Sequence, residues 1–108
     1  MIDIYKVKLT QEAEDDLIAI YDYICEALQA PQAAQRQYHR LAEEILSLDF
    51  FPERYAVIEA EPWHSMGLRQ MPVDRYSVFY LISKECVFVT DILYSASNLM
   101  ERLKRHSE

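Results

Sequence analysis

Two arginines and a tyrosine, Arg69, Arg75 and Tyr94, carry the chemistry that this sequence offers. A guanidinium presents a planar fork of N–H donors that matches a phosphate or a carboxylate and stays charged at physiological pH. A phenol adds an O–H that both donates and accepts. Brought together on one face of a sheet, the three would surround a phosphate. Each has a plainer reading beside that one: the arginines as solvated or salt-bridged sheet residues, and Tyr94 as an aromatic packed under a following helix. Asp91 complicates the site, because it places a carboxylate three residues before Tyr94. Like charges at ~4 Å repel by about 1–4 kcal/mol depending on screening, so a phosphate there requires a cation such as Arg75 to pair with Asp91.

The other reactive side chains are less promising. His64 lies in a connector, and His39 and His106 have no chemical context. Arg102, Lys104 and Arg105 fit phosphate contacts or simply solvate a terminal helix. Cys25 and Cys86 stand far apart with no CxxC and no paired His, which reads as two thiols rather than a metal site or a disulfide. Without a ligand cluster or a Gly-rich phosphate loop, no metal or organic cofactor is implied.

The elements that must position these residues follow from hydrophobic spacing. Met1 to Leu9 reads as a short strand with imperfect alternation. Thr10 offers a hydroxyl N-cap, and Glu12, Glu14, Asp15 and Asp16 load the next turns with negative charge, as the positive end of a helix favours. Ala13, Leu17, Ile20, Tyr21, Ile24 and Leu28 then form one apolar stripe on a helix of roughly five turns. Pro31 suits the first turn of a second helix, whose seam is Ala34, Tyr38, Leu41, Ile45 and Leu48. The short gap between the two predicts an antiparallel hairpin, closed by Phe50, Phe51 and Pro52.

A connector from Glu53 to Met66 leads to three strands: Gly67 to Val73, Arg75 to Ser83, and Cys86 to Tyr94. The last two are rich in β-branched and aromatic residues with a tight turn between them, so they read as a hairpin. Within the second of the three, Tyr76 and Tyr80 share an alternation with Val78 and Ile82, which makes them core residues or partner-facing ones. Ser95 caps an expected last helix bearing Leu99, Met100 and Leu103. The order β-α-α-β-β-β, with a terminal α, indicates an α+β fold in one domain over residues 1–108, a helical hairpin on one face of a mainly antiparallel sheet.

Charge narrows the function. Residues 1–61 hold 13 acidic and 5 basic side chains, and residues 62–108 hold 5 and 6, giving the net −7 of the chain. Nucleic-acid binding through a broad basic surface is excluded, and a small local site in the C-terminal half is not. No apolar run approaches the ~20 residues of a membrane span, and the N-terminus lacks the pattern of a signal peptide. A cytoplasmic location is expected.

Three stretches, in order, resemble the RelE/ParE superfamily of bacterial toxins. They are Ala13 to Ile24, similar to the family's opening helix; Leu48 to Pro52, similar to its hairpin end; and Gly67-Leu68-Arg69 followed by Arg75 to Ile82 and Val87 to Tyr94, similar to its strand pattern. The resemblance implies the toxin half of a type II toxin–antitoxin module, with a cognate antitoxin as partner. It also implies one of two activities: metal-free, ribosome-dependent mRNA cleavage, the first reading, or inhibition of DNA gyrase, the alternative. An inactive or repurposed toxin fold is a third. Under the first reading Arg69, Arg75 and Tyr94 are the catalytic residues, since metal-free RNA cleavage needs a base, a cation for the phosphate and an acid for the leaving oxygen. The chain departs from many relatives after Tyr94, where Ser95-Ala96-Ser97-Asn98 stands in place of Gly and arginines. The sidedness of charge separates the readings: a positive sheet face around Arg69 and Arg75 favours RNA, and a neutral one favours a protein target or inactivity.

Overall fold

A computed structural model describes residues 4–94 together with Glu101 and Arg102. The chain runs β1 (Lys6–Leu9), α1 (Gln11–Asp22), a π-helical turn (Tyr23–Ala27), α2 (Pro31–Leu46), two short 3-10 turns (Ser47–Asp49 and Pro52–Arg54), α3 (Trp63–Met66), β2 (Arg69–Val73), β3 (Tyr76–Ser83) and β4 (Cys86–Leu93). The expected terminal helix begins outside the described residues. Its Leu99, Met100 and Leu103, and the nearby Lys104, Arg105 and His106, lie there too.

The helix signals act as their chemistry requires. Thr10 Oγ1 accepts from the N–H of Ala13 at 3.2 Å, capping α1, and Pro31 opens α2. Ala13, Leu17, Ile24, Ala34, Leu41, Ile45 and Leu48 are buried along the facing stripes. Leu28 and Tyr38, which share those stripes by spacing, are instead exposed. For Leu28 the cause is the π-helical turn, which alters the residues per turn just before it.

The strands form one four-stranded sheet in the order β1-β4-β3-β2. β4 pairs antiparallel with β3, and β3 with β2, while β1 lies parallel to β4. This is the α+β arrangement that the sequence implies. The side-chain period of two then divides the sheet. Val78 and Tyr80 of β3, with Met71, Val73, Val87, Val89 and Ile92, pack against the helical hairpin. Phe79 faces the other way, into a second cluster with Trp63, Leu68 and Leu93. The connector is therefore not an idle loop: α3 and its flanks cover the sheet face that the hairpin leaves bare.

Candidate functional site

Arg75 sits in the turn between β2 and β3, just after Asp74, whose φ of 56° is left-handed. The strand expected over Arg75 to Ser83 therefore opens one residue later, at Tyr76, because the backbone turns first. Tyr76 begins β3, and Tyr94 directly follows β4. Pairing of Ser77 with Leu93 brings their ends together, and the Tyr76 and Tyr94 rings meet edge to face, 5.7 Å between centroids at 83°. Burial pushes the Tyr76 phenol above its ordinary value, the neighbouring Tyr94 and Tyr23 add to that, and Arg75 acts in the opposite direction. Tyr76 keeps its proton at neutral pH, as an unperturbed phenol also would.

These residues form one wall of a groove of about 750 Å³. The opposite wall comes from the hairpin turn: Ile20, Tyr23, Ile24 and Leu28, with Ala33 and Gln37 of α2. The π-helical turn carries Tyr23 and Ile24, and such bulges recur at functional sites. Asp16 and Asp74 stand at the margins.

Arg69 is not in this groove. It lies at the far end of β2, four residues before Val73, about 13 Å away at ~3.3 Å per residue. Its Nη1 donates to the carbonyls of Tyr55 at 2.6 Å and Glu53 at 3.2 Å. Tyr80, its partner across the β2–β3 ladder, is fully buried and donates to Pro52 O at 2.6 Å, and burial pushes its phenol up to about 12. Arg69 and Tyr80 together staple the segment after the helical hairpin to the sheet. Arg69→Ala is expected to cost about 1.5–3 kcal/mol, the usual worth of a hydrogen bond to a charged group, nearer the lower end because water reaches the Glu53 carbonyl. Urea unfolding checks this.

The cation that balances Asp91 is Arg102, not Arg75. Arg102 Nη2 donates to Asp16 Oδ1 at 2.7 Å, and Nη1 to Asp16 Oδ2 and to Asp91 Oδ1, both at 3.0 Å. Hydrogen bonding to Asp16 holds the guanidinium above its ordinary pKa. The trio sits where the β1–β4 pairing ends, at Leu9 opposite Val89, beyond which the Thr10 hydroxyl donates to the Thr90 carbonyl at 3.2 Å. Asp16 Oδ2 accepts the free Ile92 N–H there at 2.9 Å. Neither a phosphate role nor plain solvation describes Arg102.

The remaining candidates fall outside the groove. His64 is exposed on α3, 3.8 Å from Glu61, and His39 stacks edge-on with Tyr38. Cys25 and Cys86 are free thiols. Among the described residues no group of three His, Cys, Asp or Glu side chains is placed to hold a metal, and no helix is long and apolar enough to cross a membrane. Tyr23 and Asp16 are the groove residues that sequence reasoning passed over. The off-stripe position of Tyr23 was the available signal.

The comparisons with known proteins agree with this architecture. No curated protein matches the sequence. A solved structure described as the chromosomal ParDE TA system from P. aeruginosa superposes with a TM-score of 0.72 at 22% identity, covering 86% of this chain and 98% of that one. That likeness establishes the fold. The family model of the ParE toxin of the type II toxin–antitoxin system parDE matches residues 7–99. With that span of the sequence matched, the chain belongs to the ParE toxin family, within the RelE/ParE superfamily.

Proposed function

We propose that this protein is a growth-arresting toxin held in check by a cognate antitoxin, and that it acts on a protein target, DNA gyrase being the target that the family resemblance implies. The observation that carries this reading is the shortage of cations at the groove. Among the described residues, a phosphodiester lying there would meet one uncommitted guanidinium, that of Arg75. Arg69 is spent on backbone carbonyls and Arg102 on two carboxylates. Asp16 and Asp74 border the same groove. In-line cleavage of RNA without a metal relies on charge stabilisation around the phosphate, and this groove is mostly apolar.

Ribosome-dependent mRNA cleavage is the second reading, favoured by the juxtaposition of Arg75 with the Tyr76–Tyr94 ring pair. In it Arg75 holds the phosphate and Tyr94 transfers a proton, while Arg69 supports the fold. Controlled expression in a bacterium, with mapping of mRNA 5′ ends and a supercoiling assay on purified gyrase, separates the two. The expected outcome is growth arrest, inhibited supercoiling and an unchanged map of mRNA ends. In-frame A-site cuts that disappear in Tyr94→Phe would replace this reading with the nuclease, and full growth at high expression would indicate an inactive member of the family.

A further inference from the structure

Where α2 gives way to the connector, the chain holds a phenylalanine in a strained backbone and leaves it in water. Phe51 has φ 47° and ψ 58°, a left-handed conformation that glycine adopts freely and an aromatic residue does not. Pro52 follows it, and a residue before proline prefers extended backbone. Arg54 fixes the turn. Its Nη1 donates to the carbonyls of Phe50 at 2.7 Å, Phe51 at 3.1 Å and Ser47 at 3.3 Å, and its Nη2 to Ser47 Oγ at 2.8 Å. Strain of this kind persists only where surrounding bonds impose it, and here it does not serve burial. Phe51 is 57% exposed, and Ile4, Leu46 and Phe50 beside it are also more than half exposed. Ile4 pairs with Phe50 across an isolated bridge, so these side chains gather at one end of the molecule. A contiguous apolar patch held rigid at a surface marks an interaction site.

Charge says what covers it. Glu43, one helical turn before Leu46, and Glu53 are exposed, and Asp49 is half-buried between them in sequence. Arg54 opposes these carboxylates with a single charge, and the patch lies in residues 1–61, whose 5 basic and 13 acidic side chains give a net −8. A second copy would set one acidic rim against another. An apolar surface edged with lysine and arginine fits instead, and an enzyme that handles DNA carries basic surfaces. We propose that this end of the molecule docks the toxin's protein target, with Phe50 and Phe51 as the apolar anchors and the carboxylates as the rim. This rests on the reading of the chain as a toxin that acts on gyrase, and it adds where and by what chemistry the target is gripped. Leu46 lies nine residues beyond the groove's Gln37, about 14 Å along α2 at ~1.5 Å per residue, so the two surfaces are separate. Aromatic anchors on a turn already fixed by hydrogen bonds lose little freedom on binding.

The test uses the full chain with purified gyrase, read as the concentration that half-inhibits supercoiling. Phe51→Gly removes the anchor and relieves the left-handed backbone, so its urea midpoint is expected to hold or rise while that concentration increases about tenfold or more. Phe50→Ser is expected to lose inhibition to a similar degree, and Glu43→Lys to weaken it about threefold or more by opposing a basic rim. Ile18→Ser, an equally exposed apolar position on α1, keeps wild-type inhibition. Wild-type inhibition by folded Phe51→Gly and Phe50→Ser, or an equal loss in Ile18→Ser, would overturn this inference and leave the gyrase reading standing. So would a self-association of the wild type, seen by sedimentation, that Phe51→Gly abolishes while inhibition stays intact, since the patch would then belong to a second copy. A variant that inhibits normally but escapes the antitoxin would assign it to that partner with the same result. A wild type that leaves supercoiling untouched strikes the gyrase reading, and this inference falls with it.

Discussion

Arg102→Ala is expected to remove about 3–5 kcal/mol of stability, the cost of breaking a buried ion pair from one side. The side chains of Arg102, Asp16 and Asp91 are 18%, 12% and 7% exposed. Truncation leaves two carboxylates facing each other in a poorly solvated place, one of them also needed by the Ile92 N–H. The bidentate geometry on Asp16 makes the lost interaction stronger than a single contact. Against a total of about 5–15 kcal/mol for a native protein, the variant retains a small margin and its urea midpoint falls steeply. Asp91→Asn on the Arg102→Ala background restores part of the loss, since it removes one of the two carboxylate charges that Arg102 balances. The two substitutions are thus non-additive by more than the few tenths of a kcal/mol typical of distant sites. A loss below about 1 kcal/mol would place the trio among ordinary surface bridges.

The same trio shows where sequence reading stops. Thr10, Pro31 and the stripe from Ala13 to Ile24 act locally, so their types and spacing were sufficient to place the hairpin. Alternation in β3 separated Val78 and Tyr80 from Phe79 without any tertiary knowledge. In β4 the same rule fails at Asp91. Continued from Val87 and Val89 it predicts a core-facing position, but the register shifts opposite Phe79 and Tyr80 and Ile92 takes that place. A bulge of this kind has no reliable signature in one sequence.

The candidate site divides along the same line. Arg75 and Tyr94 border one groove because strand ends meet there, which hairpin pairing makes predictable. Arg69 was grouped with them by strand membership, yet its partners are carbonyls 14 and 16 residues away in an irregular segment. Arg102 finds Asp16 across 86 residues. Nothing in the periodicity of either region encodes such a contact.

The second large effect is expected at Phe79, on the face of the sheet turned from the hairpin. A helical hairpin on one side of a sheet, taken alone, leaves the other side to water, and Phe79→Ala would then cost little. In the structure Phe79 is fully buried against Trp63, Leu68 and Leu93. Truncating a buried phenylalanine costs about 3–5 kcal/mol, part transfer and part residual cavity, so the variant is expected to unfold at much lower urea. Trp63 is the sole tryptophan, and its emission should shift to the red as the cluster loosens. The groove lies on the hairpin side of the sheet, so growth arrest per folded molecule should be unchanged by the conservative Phe79→Leu. Loss of arrest in that variant at full folded yield would make the outer face a working surface. The shortage of cations in the groove would then say nothing about the target.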